Sequence, residues 1–71
     1  MNTVTARITV KVVTGDVFRA DWMVGTTEAL ENVRSALSQV SGMETFDITT
    51  AGGRKVYINP AHIVYSYVET K

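Results

Sequence analysis

The strongest constraint in the sequence is an alternation of apolar and polar residues near its start. The apolar set is Val4, Ala6, Ile8, Val10 and Val12, and the polar set between them is Thr5, Arg7, Thr9 and Lys11. Because successive side chains of a strand point to opposite faces, this period of two predicts a half-buried strand from Val4 to Val13. Such a strand needs a partner strand and a cover for its apolar face.

A second alternating run, Val17–Val24, follows after a short polar segment and predicts the partner strand. Its apolar phase is Phe18, Ala20 and Trp22. Since Trp22 follows the phase of Phe18 and Ala20, we expect its ring in the core.

The register of this hairpin follows from the loop. A three-residue loop, 13–15, puts Gly15 where a positive φ is needed and pairs Val10 with Phe18 and Ile8 with Ala20. A two-residue Gly15-Asp16 turn would instead set charged residues opposite core residues. The apolar pattern therefore favours the three-residue loop.

A helix is predicted next, with Thr26 or Thr27 as its N-cap and Gly42 as its stop. The apolar stripe that defines it comprises Leu30, Val33, Leu37 and Val40.

A second hairpin follows the same logic as the first. The loop Ala51-Gly52-Gly53 again has glycine third, and it pairs Ile48 with Val56 and Phe46 with Ile58. This register leaves Lys55 and Tyr57 on the outside.

Asn59-Pro60 then interrupts the strand, because proline donates no ladder hydrogen bond and restrains the residue before it. A final strand is predicted from Ile63 to Glu69. It is apolar on both faces, so we expect it to be covered on both sides.

The predicted fold is α+β, in the order β-β-α-β-β-β, with an antiparallel or mixed sheet and one helix packed on one face. With 71 residues the chain has room for one core, so residues 1–71 are expected to form a single domain.

Composition excludes several classes of function. Seven basic and seven acidic residues cancel, which gives no overall field toward nucleic acid or anionic membranes. There is no cysteine, no apolar run of membrane-spanning length and no signal-like leader. We expect a cytoplasmic protein with no membrane association.

Catalytic chemistry finds little support. His62 is the only histidine, and it follows Asn-Pro-Ala in a predicted turn without an orienting partner. Single acidic residues are scattered without metal-ligand spacing. We predict no catalytic residue, no metal and no cofactor, hence no enzyme.

The residues chosen as a candidate interaction surface are aromatic and basic. They are Tyr57, Tyr65, Tyr67, Lys55 and Arg54. Tyrosines are common both at protein interfaces and in half-buried sheet positions, and rings beside cations can stack on bases. The phosphate-loop alternative for Gly52-Gly53 is disfavoured, because such loops lead into helices and this one leads into a strand.

Two resemblances accompany these patterns. The run Ile8–Gly15 with Glu31-Asn32-Val33-Arg34 resembles the first hairpin and helix of ubiquitin-like β-grasp domains, which implies a β-grasp-like topology over about half the chain but no conjugation, since their diglycine tail is missing. The segment Gly52–Val64 is similar to endings of short uncharacterised actinobacterial and phage proteins. Its strand, Asn-Pro, strand pattern is also similar to FlbD-type flagellar proteins.

Two functions fit these patterns. The first is a small non-enzymatic protein-interaction module, either self-associating as a homo-oligomer or binding another protein, with a phage gene as one origin that the resemblance implies. The second is a single-stranded RNA or DNA binder that uses the tyrosine-bearing sheet surface.

Overall fold

A computed structural model describes residues 2–71. Its strands are β1 (Thr3–Val12), β2 (Val17–Arg19), β3 (Met23–Thr26), β4 (Phe46–Thr49), β5 (Lys55–Ile58) and β6 (Ile63–Thr70). The helix α1 (Thr27–Leu37) lies between β3 and β4, and 3-10 helices span Val40–Gly42 and Pro60–His62. The α+β order predicted from the sequence is confirmed, with the second predicted strand divided into β2 and β3.

β1 is the central strand, and every ladder among residues 2–71 is antiparallel. β2 and β3 pair with successive parts of one edge of β1, and β6 pairs with the other edge. A bridge between Ala20 and Thr50 connects this sheet to the β4–β5 hairpin. The strands therefore follow one another in space as β5, β4, β2, β1 and β6.

Both predicted hairpin registers are confirmed. Val10 pairs with Phe18 in the first hairpin, and Ile48 pairs with Val56 in the second. Gly15 has φ 95° and Gly53 has φ 82°, each at the third loop position. These backbone angles are ones that residues with a Cβ rarely adopt, so the glycines fix the loop length and with it the register.

The division between β2 and β3 is a one-residue insertion. Thr9 pairs with Arg19, but Ala6 pairs with Met23 rather than with Trp22. One extra residue in a strand moves every later side chain to the opposite face of the sheet, as at a β-bulge. The prediction that Trp22 lies in the core is therefore wrong: its half-buried ring lies beneath the guanidinium of Arg7, on the opposite face.

Helix α1 begins as predicted, because the side chain of Thr26 accepts a hydrogen bond of 3.1 Å from the backbone N–H of Ala29. It ends at Leu37, five residues before the predicted stop at Gly42. The Ser38 hydroxyl donates to the carbonyl of Ser35 at 2.6 Å, a local bond of the kind that competes with helix continuation. Gly42 instead ends the first 3-10 helix, which turns Val40 into the interior.

The core lies on the face of β1 that carries Val4, Ala6, Ile8, Val10 and Val12, which we call the inner face. The β4–β5 hairpin covers one end of this face through Ile48 and Ile58, and α1 covers the other end through Leu30. Full burial of one such side chain stabilises the fold by about 1.5–3 kcal/mol. The opposite face, with Thr5, Arg7, Thr9 and Lys11, is called the outer face, and neither the helix nor the hairpin covers it.

Candidate interaction surfaces

Two of the predicted surface residues lie together on the outer face. Tyr65 and Tyr67 are on β6, opposite Lys11 and Thr9 of β1. Their ring centroids are 5.8 Å apart with the planes tilted by 34°, and each residue is 43% exposed. The expectation that the final strand is covered on both sides is wrong for the single chain, because Val64, Tyr65 and Tyr67 of this strand remain exposed.

The other three predicted residues form a separate cluster on the second hairpin. Tyr57 alternates with the core-facing Val56 and Ile58, so its ring points away from the core, and it is 74% exposed. The ammonium nitrogen of Lys55 lies 5.5 Å from the centroid of that ring, and Arg54 is in the loop just before β5. The five candidate residues therefore do not form one surface.

His62 is the last residue of the second 3-10 helix and is exposed. The preceding Asn59 caps this helix by accepting a hydrogen bond of 3.0 Å from the N–H of Ala61, and Pro60 begins it. The Asn-Pro segment thus acts as the structural turn predicted for it.

The free edge of β6 is the longest unpaired strand edge among residues 2–71. β6 has eight residues and pairs only with β1. The N–H of Lys71 donates to the carbonyl of Thr5 at 2.9 Å, so odd-numbered residues of β6 direct their backbone groups toward β1. The backbone N–H and C=O groups of the even-numbered residues Ser66, Val68 and Thr70 consequently point to the free edge.

Natural edge strands usually carry features that block pairing with another chain, such as proline, bulges or charged side chains. β6 contains no proline and one charged residue, Glu69, and its irregular pairing is confined to the end near Ile63. Val64 at this irregularity is 56% exposed. Within residues 2–71, the edge from Ser66 to Thr70 therefore lacks the features that usually block pairing with another strand.

A polar network joins β1, β2 and β6 on the outer face. Glu69 accepts a hydrogen bond of 2.6 Å from the hydroxyl of Thr9 and one of 3.1 Å from Arg7, and Arg19 Nε lies 3.9 Å from its carboxylate. The Thr9 hydroxyl first, then Arg7, holds the pKa of Glu69 below its ordinary value. Glu69 is thus a fixed anion among cations.

Cationic side chains also contact the aromatic rings of this face. The guanidinium of Arg7 lies 4.3 Å from the centroid of the Trp22 ring, and the ammonium of Lys71 lies 5.2 Å from the same centroid. The ammonium of Lys11 lies 5.9 Å from the centroid of Tyr65. These distances are those of cation–π contacts, which hold the long side chains over the sheet.

Although the whole chain is neutral, several cationic side chains are concentrated on the outer face. On the outer face four cationic side chains, Arg7, Lys11, Arg19 and Lys71, lie around the carboxylate of Glu69. The carboxylate of Asp21 is also near, because it accepts a hydrogen bond of 2.9 Å from the backbone N–H of Trp22. The alternation in the sequence puts Arg7 and Lys11 on the polar face of one strand and Arg19 with Asp21 on that of the next. It does not show that these cations converge with Lys71, because that depends on β6 pairing with β1.

An apolar cleft of about 250 Å³ lies between α1 and the inner face. Its walls include Ala6, Ile8, Met23, Leu30 and Val68. Catalytic pockets combine such apolar walls with several convergent polar groups. Here the walls are almost wholly apolar, with Arg7 and Asp21 at their border.

Within residues 2–71 no three acidic or histidine side chains lie close enough together to hold a metal ion. No helix in the same range has the length and apolar character needed to cross a membrane.

No protein-family model, curated protein or solved structure matches this chain.

Proposed function

We propose that this protein is a non-enzymatic interaction module that self-associates by pairing the β6 strands of two copies. The observation that carries the proposal is the free edge of β6, with unpaired backbone groups from Ser66 to Thr70 beside the exposed rings of Tyr65 and Tyr67. A strand edge of this kind binds another strand through main-chain hydrogen bonds.

A second copy is a suitable partner because an antiparallel pair of identical strands has two-fold symmetry. Closed two-fold dimers are the commonest soluble assemblies, and each contact in them occurs twice. A domain of 71 residues also gains much from association, since it buries only roughly 60% of its unfolded surface alone.

The chemistry of the edge favours a register centred on Val68. In that register Val68 lies opposite Val68 of the second copy, and Ser66 lies opposite Thr70 of the second copy. The backbone N–H and C=O groups of Ser66, Val68 and Thr70 then all have hydrogen-bond partners. On the outer face it places Tyr67 opposite the Glu69 of the second copy and Tyr65 opposite Lys71. A register centred on Glu69 would bring two carboxylates together, which cross-strand pairing disfavours.

Sedimentation equilibrium tests the self-association. Ser66→Pro removes an N–H from the free edge of β6 while leaving the ladder to β1 intact. Val24→Pro is the matched control, because the Val24 N–H points away from β1 at the free edge of β3, and Val24 is 72% exposed. We expect the wild type and Val24→Pro to dimerise and Ser66→Pro to be monomeric. A wild type that stays monomeric at millimolar concentration would contradict the proposal.

Cysteine scanning tests the register, since the chain has no cysteine of its own. Single variants at Ser66, Tyr67 and Val68 are oxidised at a concentration where the dimer is populated. Only the residue on the two-fold axis has its own copy within the roughly 4.4–6.8 Å Cα separation that a disulfide needs. We expect Val68→Cys to form the covalent dimer fastest.

A further inference from the structure

We propose that the outer face binds single-stranded nucleic acid. This binding surface differs from the five-residue surface expected from the sequence, because it uses Tyr65 and Tyr67 with four cations of the sheet rather than the residues of the second hairpin. The cations are Arg7, Lys11, Arg19 and Lys71.

Local charge supports the proposal despite the neutral total. Four cationic side chains lie around Tyr65, Tyr67 and Trp22, whereas the carboxylates near them are those of Asp21 and of Glu69, which Thr9 and Arg7 bind. A phosphate backbone at this face would therefore meet a local concentration of cations, although the chain as a whole is neutral.

The aromatic side chains supply the second requirement, a platform for bases. Tyr65 and Tyr67 lie side by side on one strand, 5.8 Å between centroids, and both are partly exposed. Unpaired bases stack on such rings in sheet-surface binders, each base contributing in a largely sequence-independent way. A duplex keeps its bases stacked internally, so these rings favour a single strand.

The arrangement of cations around the rings fits an extended strand. Lys11 lies beside Tyr65. Arg7 and Lys71 lie over the Trp22 ring, and this contact keeps their positive groups at the outer face. Arg19 is on β2, on the other side of β1 from the tyrosines, and its side chain is half exposed. Bases on the tyrosines would therefore leave the phosphates within reach of cations along β1.

The proposal does not depend on dimerisation, because each chain carries the complete surface. Pairing of β6 strands would join two outer faces into one continuous sheet surface and lengthen the binding site. The monomeric Ser66→Pro variant separates the two proposals: it should keep binding a short oligonucleotide even though it no longer dimerises.

Fluorescence anisotropy with a labelled oligothymidylate tests the inference. At low salt of about 50 mM we expect saturable binding, with a log–log salt slope of about −2 to −3 for three to four phosphates neutralised on a single strand. Tyr67→Ala and Tyr65→Ala should each weaken binding about tenfold, in line with the loss of one stacked base, and Tyr67→Phe should restore it.

The matched control is Tyr57→Ala, which removes an exposed tyrosine beside a lysine on the second hairpin. It should leave the affinity unchanged, and circular dichroism should show every variant folded. Three results would overturn the inference. They are the absence of saturable binding at low salt, an equal loss from Tyr57→Ala and Tyr67→Ala, and equally tight binding of an oligoglutamate of the same charge, which would assign the face to acidic protein segments.

Discussion

The hydroxyl of Thr9 donates a hydrogen bond of 2.6 Å to Oε1 of Glu69, across the pairing of β1 with β6. Thr9 is 0% exposed, although its strand position belongs to the outer, polar face. The Glu69 carboxylate that accepts this bond is also held by Arg7. This bond ties the strand with the free edge to the centre of the sheet.

We predict that Glu69→Gln reduces the pH dependence of the free energy of unfolding in the acidic range. The pKa of Glu69 is lower in the folded than in the unfolded state, so its stabilising contribution is present above its ordinary carboxylate pKa. The contribution is lost as the pH falls through the folded-state pKa. The variant should be less stable than the wild type at neutral pH, and the difference should disappear in acid. Urea midpoints across this range measure it.

Glu31→Gln serves as the control for that series. Glu31 pairs with Arg34 at 3.0 Å on the exposed surface of α1, and such pairs contribute about 0–1 kcal/mol. Its urea midpoint should stay close to that of the wild type. An equal effect of both substitutions at neutral pH would show that the Glu69 network has no special role.

We predict that Gly53→Ala destabilises the protein by about 1–2 kcal/mol, because a Cβ is disfavoured at φ 82°. The neighbouring Gly52→Ala is the matched control. An added Cβ at Gly52 meets nothing within 4 Å, and its φ is not positive. It should change the free energy of unfolding by less than about 0.5 kcal/mol. Denaturation with urea compares the two, and equal effects would contradict the loop geometry.

Trp22 provides a fluorescence test of the charge on the outer face, since it is the only tryptophan. Arg7 and Lys71 lie over its ring, whereas Asp21 contacts only its backbone N–H, so the cations at the ring should attract iodide and repel caesium. We predict that iodide quenches the folded protein more strongly than caesium, relative to a free tryptophan derivative. In denaturant the preference should vanish, because the chain is neutral overall. Equal quenching in the folded state would contradict the placement of Trp22.

Local patterns predicted the hairpins well, for a physical reason. A glycine at the third loop position sets the loop length, and the period of two then fixes every cross-strand pair, such as Val10 with Phe18. The insertion between β2 and β3 was not predictable in the same way. Trp22 continues the alternation without a break, and only the partner residues on β1 reveal the extra residue.

The candidate surface shows the same limit. The polar faces of β1 and β2 could be assigned residue by residue, but the pairing of β6 with β1 joins segments some 60 positions apart, as Thr9 and Glu69 illustrate. No local signal specifies that contact. Tyr57 and Tyr67 look equivalent in sequence, and the topology alone places them in separate clusters.

The C-terminus of α1 is set by a competition between continuing the helix to Gly42 and burying Val40. Gly42 is a good helix stop, yet α1 ends at Leu37, and the chain turns so that Val40 is buried. Tertiary burial of one apolar side chain outweighed continuation of the helical pattern over 38–41, where Ser38 already bonds to the backbone of Ser35.

Amide hydrogen exchange of β6 at low and high protein concentration tests the central claim most directly. The amides of Ser66 and Val68 face the free edge, whereas those of Tyr67 and Glu69 face β1 and serve as internal references. Pairing of β6 with a second copy predicts that protection of Ser66 and Val68 rises with concentration, while Val24 on the free edge of β3 stays unprotected. Ser66 and Val68 amides that exchange as fast as Val24 at every concentration would contradict it.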